Sequence, residues 1–249
     1  MPALRVVGPG RAGQSLMRAL ERAGWAVAAP RHRDDDMADA AAGVDLLVIA
    51  TPDAAIAGVA AAVRPEPDTV VAHLAGSLGL DVLAPHRRRA AIHPLTALPD
   101  PETGAGRLAS GAWFAVAGDA LGARVVADLG GRSFTVADAD RAAYHAAACI
   151  AANHLVALLG QVERVAVAAG VPFEAFIDLA RGALHDVAAR GPAAALTGPV
   201  ARGDHATVAR HLAALDPSER PAYEALAAAA ARLAAGAAVD ADVVVPACR

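Results

Sequence analysis

The chain has 249 residues, of which 56% are hydrophobic but only 3% aromatic, and its formal net charge at pH 7 is −4. This length suffices for one large domain or two small ones. The lack of a basic excess argues against a protein that binds nucleic acid through its phosphates. All 22 basic residues are arginine, which excludes a lysine general acid, a Schiff base and a P-loop lysine.

Seven apolar segments predict the strands of an α/β fold. They are ALRVV (3–7), WAVAAP (25–30), VDLLVIA (44–50), TVVAHLAG (69–76), RAAIHPL (89–95), GAWFAVAG (111–118) and GRSFTVA (131–137). Helix-like segments lie between most of them, which predicts an open, doubly wound parallel sheet. From about residue 138 the pattern is helical, and the first helix is predicted to end at Gly170. We therefore predict an α/β domain at 1–137 and an all-α domain at 138–249.

The segment RVVGPGRAGQSL (5–16) joins the first strand to the first helix. Gly8 permits a tight turn, Gly10 permits close approach of a pyrophosphate, and Gly13 permits close packing of helix on strand. The helix start adds free N–H groups at Arg11 and Ala12 and the positive end of the dipole. This context predicts a dinucleotide site, although a glycine turn without a ligand is the simpler alternative.

The end of the second strand distinguishes NAD from NADP. Arg31, His32 and Arg33 lie about 23 residues after the first glycine, where an arginine can pair with a 2′-phosphate. The acidic residues 34–36 come slightly later, which favours NADP. In the alternative reading, the two arginines are solvated partners of these aspartates.

Two later loops are predicted to face the same crevice, because parallel strands present their carboxyl ends at one edge. Thr51, Pro52 and Asp53 follow the third strand and are expected to border the cofactor. Ser77 follows the fourth strand and is expected nearer the substrate. Turn formation and helix capping are the alternative roles of these residues.

The segments GPGRAGQSLMRAL, TPDAAIAGVA, HLAGSLGLDVL, HPLTALPDP, YHAAACIAANHLVALL and ALTGPVARGD occur in this order. Over residues 4–235 the chain resembles Rossmann-like proteins with a C-terminal DUF2520 domain, in the 6-phosphogluconate dehydrogenase-like superfamily. That superfamily includes pyrroline-5-carboxylate reductase and ketopantoate reductase. The resemblance implies NADP binding, a homodimer built by the helical part and an active site between the domains. Several superfamily members use a lysine as proton donor, which this chain lacks.

Three residues are candidates for catalysis. Asn153 resembles the superfamily position of a substrate-orienting amide, and His145 is a candidate acid. On a regular helix they are separated by about 80° of rotation and about 12 Å, so both can line one groove without meeting at one atom. His93 ends the fifth strand and can donate to a substrate carbonyl or carboxylate. A structural hydrogen bond is the alternative for each histidine.

Arg202 and Asp204 form a polar pair in the segment LTGPVARGD (196–204). The arginine is expected to bind a substrate carboxylate bidentately, with an interhelical or dimer-interface salt bridge as the alternative. No metal site is predicted, because His145 and Cys149 have no further ligands at metal-binding spacing.

These features together predict an NADPH-dependent reductase of a small carbonyl metabolite, such as a 2-keto acid of the ketopantoate type. A pyrroline-5-carboxylate-like imine reductase and a non-catalytic NADP-binding sensor or scaffold dimer are the alternatives. The two cysteines suggest no disulfide framework, and the N-terminus lacks the pattern of a signal peptide. We therefore expect a cytoplasmic protein that has neither a membrane nor nucleic acid as a partner.

Overall fold

The computed structural model describes residues 1–236 and divides the chain into two compact units, residues 1–154 and residues from 155 onward. The division falls later than the boundary proposed at residue 137. The reason is that the first turns of the long helix contact the strand domain, where Tyr144 meets His93 and Phe134. The tail at 239–249, for which the sequence suggests either an added strand or disorder, lies outside the described residues, as does Cys248.

A seven-stranded sheet forms the centre of the first unit, with the strand order β2-β1-β3-β4-β5-β6-β7. Each predicted strand is present, although the second contains only two residues. The reversal of strand order lies between β1 and β3, and ligands of doubly wound sheets bind at such a point. The strands are β1 (Ala3–Val7), β2 (Ala26–Val27), β3 (Leu46–Ile49), β4 (Val70–His73), β5 (Arg89–Pro94), β6 (Trp113–Gly118) and β7 (Arg132–Phe134).

One strand pair departs from the predicted parallel sheet. β5 and β6 are antiparallel, with Pro94 opposite Phe114, whereas the other neighbouring pairs are parallel. The helix between them, Pro101–Leu108, has eight residues and spans about 12 Å. It does not carry the chain back to the end of the sheet at which β5 begins. β6 therefore starts beside the end of β5 and runs antiparallel to it.

Helices cover both faces of the sheet, because its central strands alternate their side chains between two apolar clusters. Val48 packs on one face with Leu16 and Leu20 of α1. Ile49 packs on the other with Ile56 of α2. The helices of this unit are α1 (Arg11–Arg22), α2 (Asp53–Ala62), α3 (Pro101–Leu108), α4 (Ala120–Asp128) and α5 (Arg141–Cys149).

Described residues of the second unit are helical, as predicted. The first unit ends with a π-helical turn, Ile150–His154, which follows α5 directly. Gly170 has a φ of 71° and follows the long helix, as expected for a glycine stop signal. The remaining helices are α6 (Leu155–Ala168), α7 (Phe173–Arg190), α8 (Pro192–Ala195), α9 (His205–Ala214) and α10 (Arg220–Gly236).

Candidate active site

The turn after β1 runs from Gly8 to Gly10. Gly8 has a φ of 78°, a left-handed conformation that glycine adopts readily. A Cβ at this position would lie 2.8 Å from Thr51 Cγ2, so neither the backbone nor the space allows a side chain. The N–H of Gly8 donates to the carbonyl oxygen of Arg31 over 2.9 Å. This bond ties the turn to the segment that follows β2.

The other two glycines of the turn meet different surroundings. A Cβ at Gly13 would lie 2.9 Å from both the Gly8 oxygen and Val6 Cγ1, so this glycine permits close contact of α1 with β1. At Gly10, no atom of the described residues lies within 4 Å of the Cβ position. The backbone at Gly10 is therefore open to close approach by a ligand.

The N-terminus of α1 is suited to an anion. Its N-cap residue, Gly10, provides no side-chain hydrogen bond, and no acidic residue lies in the first turn. The first-turn N–H groups, among them those of Arg11 and Ala12, lie at the positive end of the helix dipole. This is the arrangement with which dinucleotide-binding folds hold a pyrophosphate.

Arg31 lies next to this turn. It forms an isolated parallel bridge with Val7, and its N–H donates to the Val6 oxygen over 2.9 Å. Its Nε is buried without a hydrogen-bond partner among the described residues. Burial and, to a lesser extent, the charge of Arg31 lower the pKa of Arg5.

The proposed pairing of these arginines with the acidic run is not seen in the described chain. No ion pair there joins Arg31 or Arg33 to residues 34–36. Asp35 instead accepts from the backbone N–H of His32 over 2.7 Å. His32 also lines a groove of about 460 Å³ between this segment and α1. Arg31 therefore keeps hydrogen-bonding capacity for a ligand.

The loops after β3 and β4 are joined by one hydrogen bond. The hydroxyl of Ser77 donates to Asp53 Oδ2 over 2.9 Å. Pro52 precedes α2 as its N-cap residue. Thr51 Oγ1 is buried without a partner among the described residues, and its methyl group faces Gly8. Of the cofactor candidates in this loop, Thr51 thus adjoins the glycine turn.

A group of aromatic and imidazole rings lies at the carboxyl ends of β4 and β5. Nδ1 of His93 and the hydroxyl of Tyr144 are 2.6 Å apart and hydrogen-bonded. The ring centroids of His93 and His145 are 5.8 Å apart, in an edge-to-face arrangement. A Cβ at Gly76 would lie 2.7 Å from His145 Cδ2 and 2.9 Å from His93 Nε2. Only glycine fits beside the two rings.

A third histidine, His73, supports this group from β4. Its Nδ1 accepts from the N–H of Ala75 over 3.2 Å, so the proton is on Nε2, which donates to the Gly79 oxygen over 3.1 Å. His73 is completely buried. Because both ring nitrogens already have backbone partners, His73 fixes the loop after β4.

Burial favours the neutral forms of His73, His93 and Tyr144. Burial and then the charge of His145 lower the pKa of His93 to about 4. Burial also lowers the pKa of His73 and raises that of Tyr144. At neutral pH, His93 is therefore an uncharged imidazole and Tyr144 a protonated phenol, and each can still exchange a proton.

The remaining sequence candidates lie elsewhere. Asn153 is exposed and belongs to the π-helical turn, so the regular helical spacing assumed between it and His145 does not apply. Arg202 is exposed and belongs to the second unit. Asp204 caps α9, accepting from the N–H of Thr207 over 2.9 Å and from its hydroxyl over 2.7 Å.

Sequence reasoning missed three residues of this group: His73, Arg141 and Tyr144. Arg141 begins α5, is almost completely buried, and its Nε donates to Asp138 Oδ1 over 2.9 Å. Arg141, Tyr144 and His145 are spaced i, i+3 and i+4, which places them on one helix face. That spacing was visible in the sequence as the segment DRAAYH. All of these residues belong to the unit 1–154.

Two family models match the chain. A Rossmann-like domain covers residues 3–99 and the domain of unknown function DUF2520 covers residues 115–230. This chain is a Rossmann-like protein with a DUF2520 domain. The resemblance seen in the sequence is thus confirmed. No curated protein matches the chain in sequence.

Solved structures share the fold of this DUF2520 protein over nearly its whole length. BF3122 of Bacteroides fragilis, proposed to be an NADP oxidoreductase, has a TM-score of 0.75 at 18% identity, covering 93% of this chain and 98% of its own. TM1727 of Thermotoga maritima has a TM-score of 0.70 at 22% identity, and the match covers 94% of this chain and 98% of TM1727. Plasmodium falciparum pyrroline carboxylate reductase, with NADP bound, has 0.60 at 12%, also covering 94% and 98%. These TM-scores show a common fold.

One helical stretch, 138–168, is long and apolar enough to cross a membrane by length and composition. One of its first turns carries Tyr144, which is hydrogen-bonded to His93 of β5.

The low pKa of His93 predicts a pH dependence of stability. The folded protein binds this proton less readily than the unfolded chain, whose histidines titrate near pH 6.5. The free energy of unfolding therefore falls as the pH decreases from 7 to 5. We expect His93→Gln to make the fall in Tm over this range shallower, with part of the slope left by His73.

Exposed His185 provides the control, since His185→Gln is expected to leave the slope as in the wild type. An unchanged slope in the His93→Gln protein would contradict the assignment of a buried, neutral imidazole.

Proposed function

We propose that this protein is an NADP-dependent oxidoreductase that reduces a small carbonyl metabolite. One observation supports this best: the open glycine turn after β1 and the hydrogen-bonded pair His93–Tyr144 lie at the same edge of one sheet. Strands are spaced by about 4.8 Å, so β5 lies roughly 14 Å along the sheet from β1. A dinucleotide bound across the crevice from β1 extends toward such a pair.

The residues around the glycine turn fit NADP. The backbone at Gly10 and the first turn of α1 would hold the pyrophosphate, and Arg31 would pair with the 2′-phosphate. The buried Nε of Arg31 and the buried hydroxyl of Thr51 lack partners among the described residues, which supports a ligand here. The NADP named for two of the fold neighbours is consistent with this proposal.

A bound reduced nicotinamide would supply the hydride, and the chain must supply the proton. His93 alone is a poor terminal acid, because its low pKa leaves it neutral. We assign the proton to Tyr144, whose hydroxyl donates to Nδ1 of His93. Nε2–H of His93 then protonates the substrate oxygen as Nδ1 takes the phenolic proton. An alkoxide is more basic than a phenolate, so the net transfer is favourable.

This relay explains how a chain without lysine can reduce a carbonyl group. It favours a carbonyl substrate, and a 2-oxo acid of the ketopantoate type is the first to test. A cyclic imine of the pyrroline-5-carboxylate type is the second candidate, in view of the fold shared with a pyrroline carboxylate reductase. If the protein binds NADP but turns over neither 2-oxo acids nor cyclic imines, the remaining candidate is a non-catalytic NADP-binding sensor or scaffold.

We also propose a homodimer through the helical unit. Among the described residues from 155 onward, only Ala166 is fully buried. Val167 and Leu179 are 70% and 69% exposed. Apolar surface of this kind is usually covered by another chain.

The cytoplasmic location stays a prediction, which cell fractionation would test.

The cofactor assignment is tested by titrating the purified protein with NADPH and NADH. We expect tighter binding of NADPH, and a loss of about tenfold or more in NADPH affinity for Arg31→Ala, because a charge-assisted contact to phosphate is removed. Exposed Arg87→Ala is the control. Equal affinities for the two cofactors would contradict the role of Arg31.

Gly10→Ala separates a ligand site from a structural turn. The added methyl meets open space, so its effect on stability should stay within about 1 kcal/mol, as for an N-cap glycine replaced by alanine. We expect both cofactors to bind markedly more weakly, measured alongside thermal unfolding. Unchanged affinity would argue that the turn serves the fold alone.

The relay is tested with Tyr144→Phe in an assay of NADPH oxidation with ketopantoate. Loss of the proton source should lower kcat by about 100-fold or more while the Kd for NADPH stays constant. Tyr223→Phe is a matched control, because Tyr223 forms the same bond to Nδ1 of His211, over 2.7 Å. The kcat of the wild type should fall as the pH decreases toward 4, because protonation of His93 at Nδ1 blocks proton transfer from Tyr144. Normal kcat in the Tyr144→Phe protein would rule it out.

The dimer is tested by light scattering. We expect a mass twice the 24.9 kDa of one chain, and dissociation by Leu179→Glu, which places a charge in an apolar contact. Leu95→Glu, on an exposed residue of the strand unit, should remain dimeric. A monomeric wild type would contradict the proposal.

A further inference from the structure

Arg141 is the largest fully buried side chain of the described protein, with 1% of its surface exposed. It begins α5, beside the carboxyl ends of β4 and β5. Its one ion pair joins Nε to Asp138 Oδ1 over 2.9 Å, and the Asp138 side chain is 59% exposed. The cation is thus inside the protein, while its partner is largely in water.

The rest of the guanidinium has no protein acceptor. Nη1 and Nη2 of Arg141 are both buried and have no hydrogen-bond partner among the described residues. Four N–H donors are therefore left unsatisfied on a permanently charged group. Such burial is strongly unfavourable unless something accepts from these donors. Their planar fork matches the two oxygens of a carboxylate.

Arg141 lies within electrostatic range of the proposed reduction site. Its positive charge is one of the causes that lower the pKa of His73 and His93, and it partly offsets the rise that burial causes in the pKa of Tyr144. Asp53 is an acidic group whose charge favours the protonated forms of both His73 and His93. Its carboxylate already accepts a hydrogen bond from Ser77. Nη1 and Nη2 of Arg141 thus lack an acceptor of their own in the electrostatic neighbourhood of His93.

We propose that Arg141 binds the carboxylate of the substrate through Nη1 and Nη2, so that the site selects compounds with a carboxylate next to the reducible carbon. This inference rests on the proposed function. It covers both substrate candidates, since 2-oxo acids and pyrroline-5-carboxylate share that carboxylate. It also moves the carboxylate-binding role from exposed Arg202 to a buried residue of the strand unit.

The test uses pyruvate as a carboxylate probe and pyruvamide as its neutral counterpart, both titrated into the full-length protein in chloride-free buffer. Calorimetry gives the affinities, and fluorescence of Trp113 gives a second reading. Trp113 is 42% exposed and connects to the site through Phe134 and Tyr144, with ring centroids 6.0 and 5.7 Å apart. We expect pyruvate to bind more tightly than pyruvamide.

Arg141→Met should weaken pyruvate binding by about 30-fold or more, since a buried charge-assisted contact is lost, and leave pyruvamide binding nearly unchanged. Arg181→Met is the matched control. Arg181 forms the same i, i+3 pair, with Asp178 over 2.7 Å, but is exposed. The pyruvate affinity of the Arg181→Met protein should equal that of the wild type.

A second variant guards against misfolding of the Arg141→Met protein. Asp138→Asn removes the competing carboxylate from an exposed position and leaves Arg141 in place. Pyruvate should then bind several-fold more tightly, an effect opposite in sign to that of Arg141→Met. Equal binding of the two probes by the wild type, or unchanged pyruvate affinity in the Asp138→Asn protein, would overturn the inference.

Titration of the same samples with NADPH separates this inference from the proposed function. If NADPH binds but pyruvate is not preferred, the carboxylate site fails and the cofactor site stands. If pyruvate binding depends on Arg141 while NADPH does not bind, the carboxylate site stands and the reductase proposal fails.

Discussion

Parallel pairing of β1, β3, β4 and β5 brings the carboxyl ends of four strands to one edge of the sheet. At this edge the backbone emerges into loops whose N–H groups and side chains are not used by the sheet. The glycine turn, Ser77 and His93 all follow from it. Strand pairing fixes their spacing through backbone hydrogen bonds, so the site depends little on the small side chains of this alanine-rich chain.

Burial sets the chemistry of that edge. A lysine would carry a positive charge together with a mobile proton, and this chain has no lysine. His93 is instead kept neutral by burial, and Tyr144 holds its proton for the same reason. Proton transfer from Tyr144 through His93 would move the negative charge from the substrate oxygen to the phenolate, so that His93 never becomes cationic. Gly76 makes this contact possible by leaving space for the rings.

Local sequence signals predicted the fold well because they report local physics. Apolar runs marked all seven strands, and the spacing of Gly8, Gly10 and Gly13 marked the turn. The antiparallel β6 was missed, since strand direction depends on how far the connection through α3 returns across the sheet. Tyr144 and Arg141 were missed for a related reason. Their importance comes from contacts with β5 and with residues before α5, and helix periodicity does not reveal which neighbour a helix face meets.

The estimate for Asn153 shows the same limit on a single helix. A constant rotation per residue gave it a place relative to His145, but the π-helical turn at Ile150–His154 changes that rotation. π-Helical turns occur often at functional sites, because they re-aim side chains at a local cost in backbone geometry. The backbone irregularity that defeats the extrapolation is therefore itself a reason to examine this part of the helix.

The charged side chains around the rings differ in how far they are exposed to water. With His73 and His93 neutral, the arginine and acidic side chains whose charges act on them are Arg141, Asp138 and Asp53. Both carboxylates are on exposed residues and retain water, whereas the guanidinium has given up its own. A buried cation whose counter-ion is hydrated can still interact favourably with a second anion. Such an anion must be planar, small and able to accept from two nitrogens at once, and a carboxylate bonded to a reacting carbon meets all three conditions.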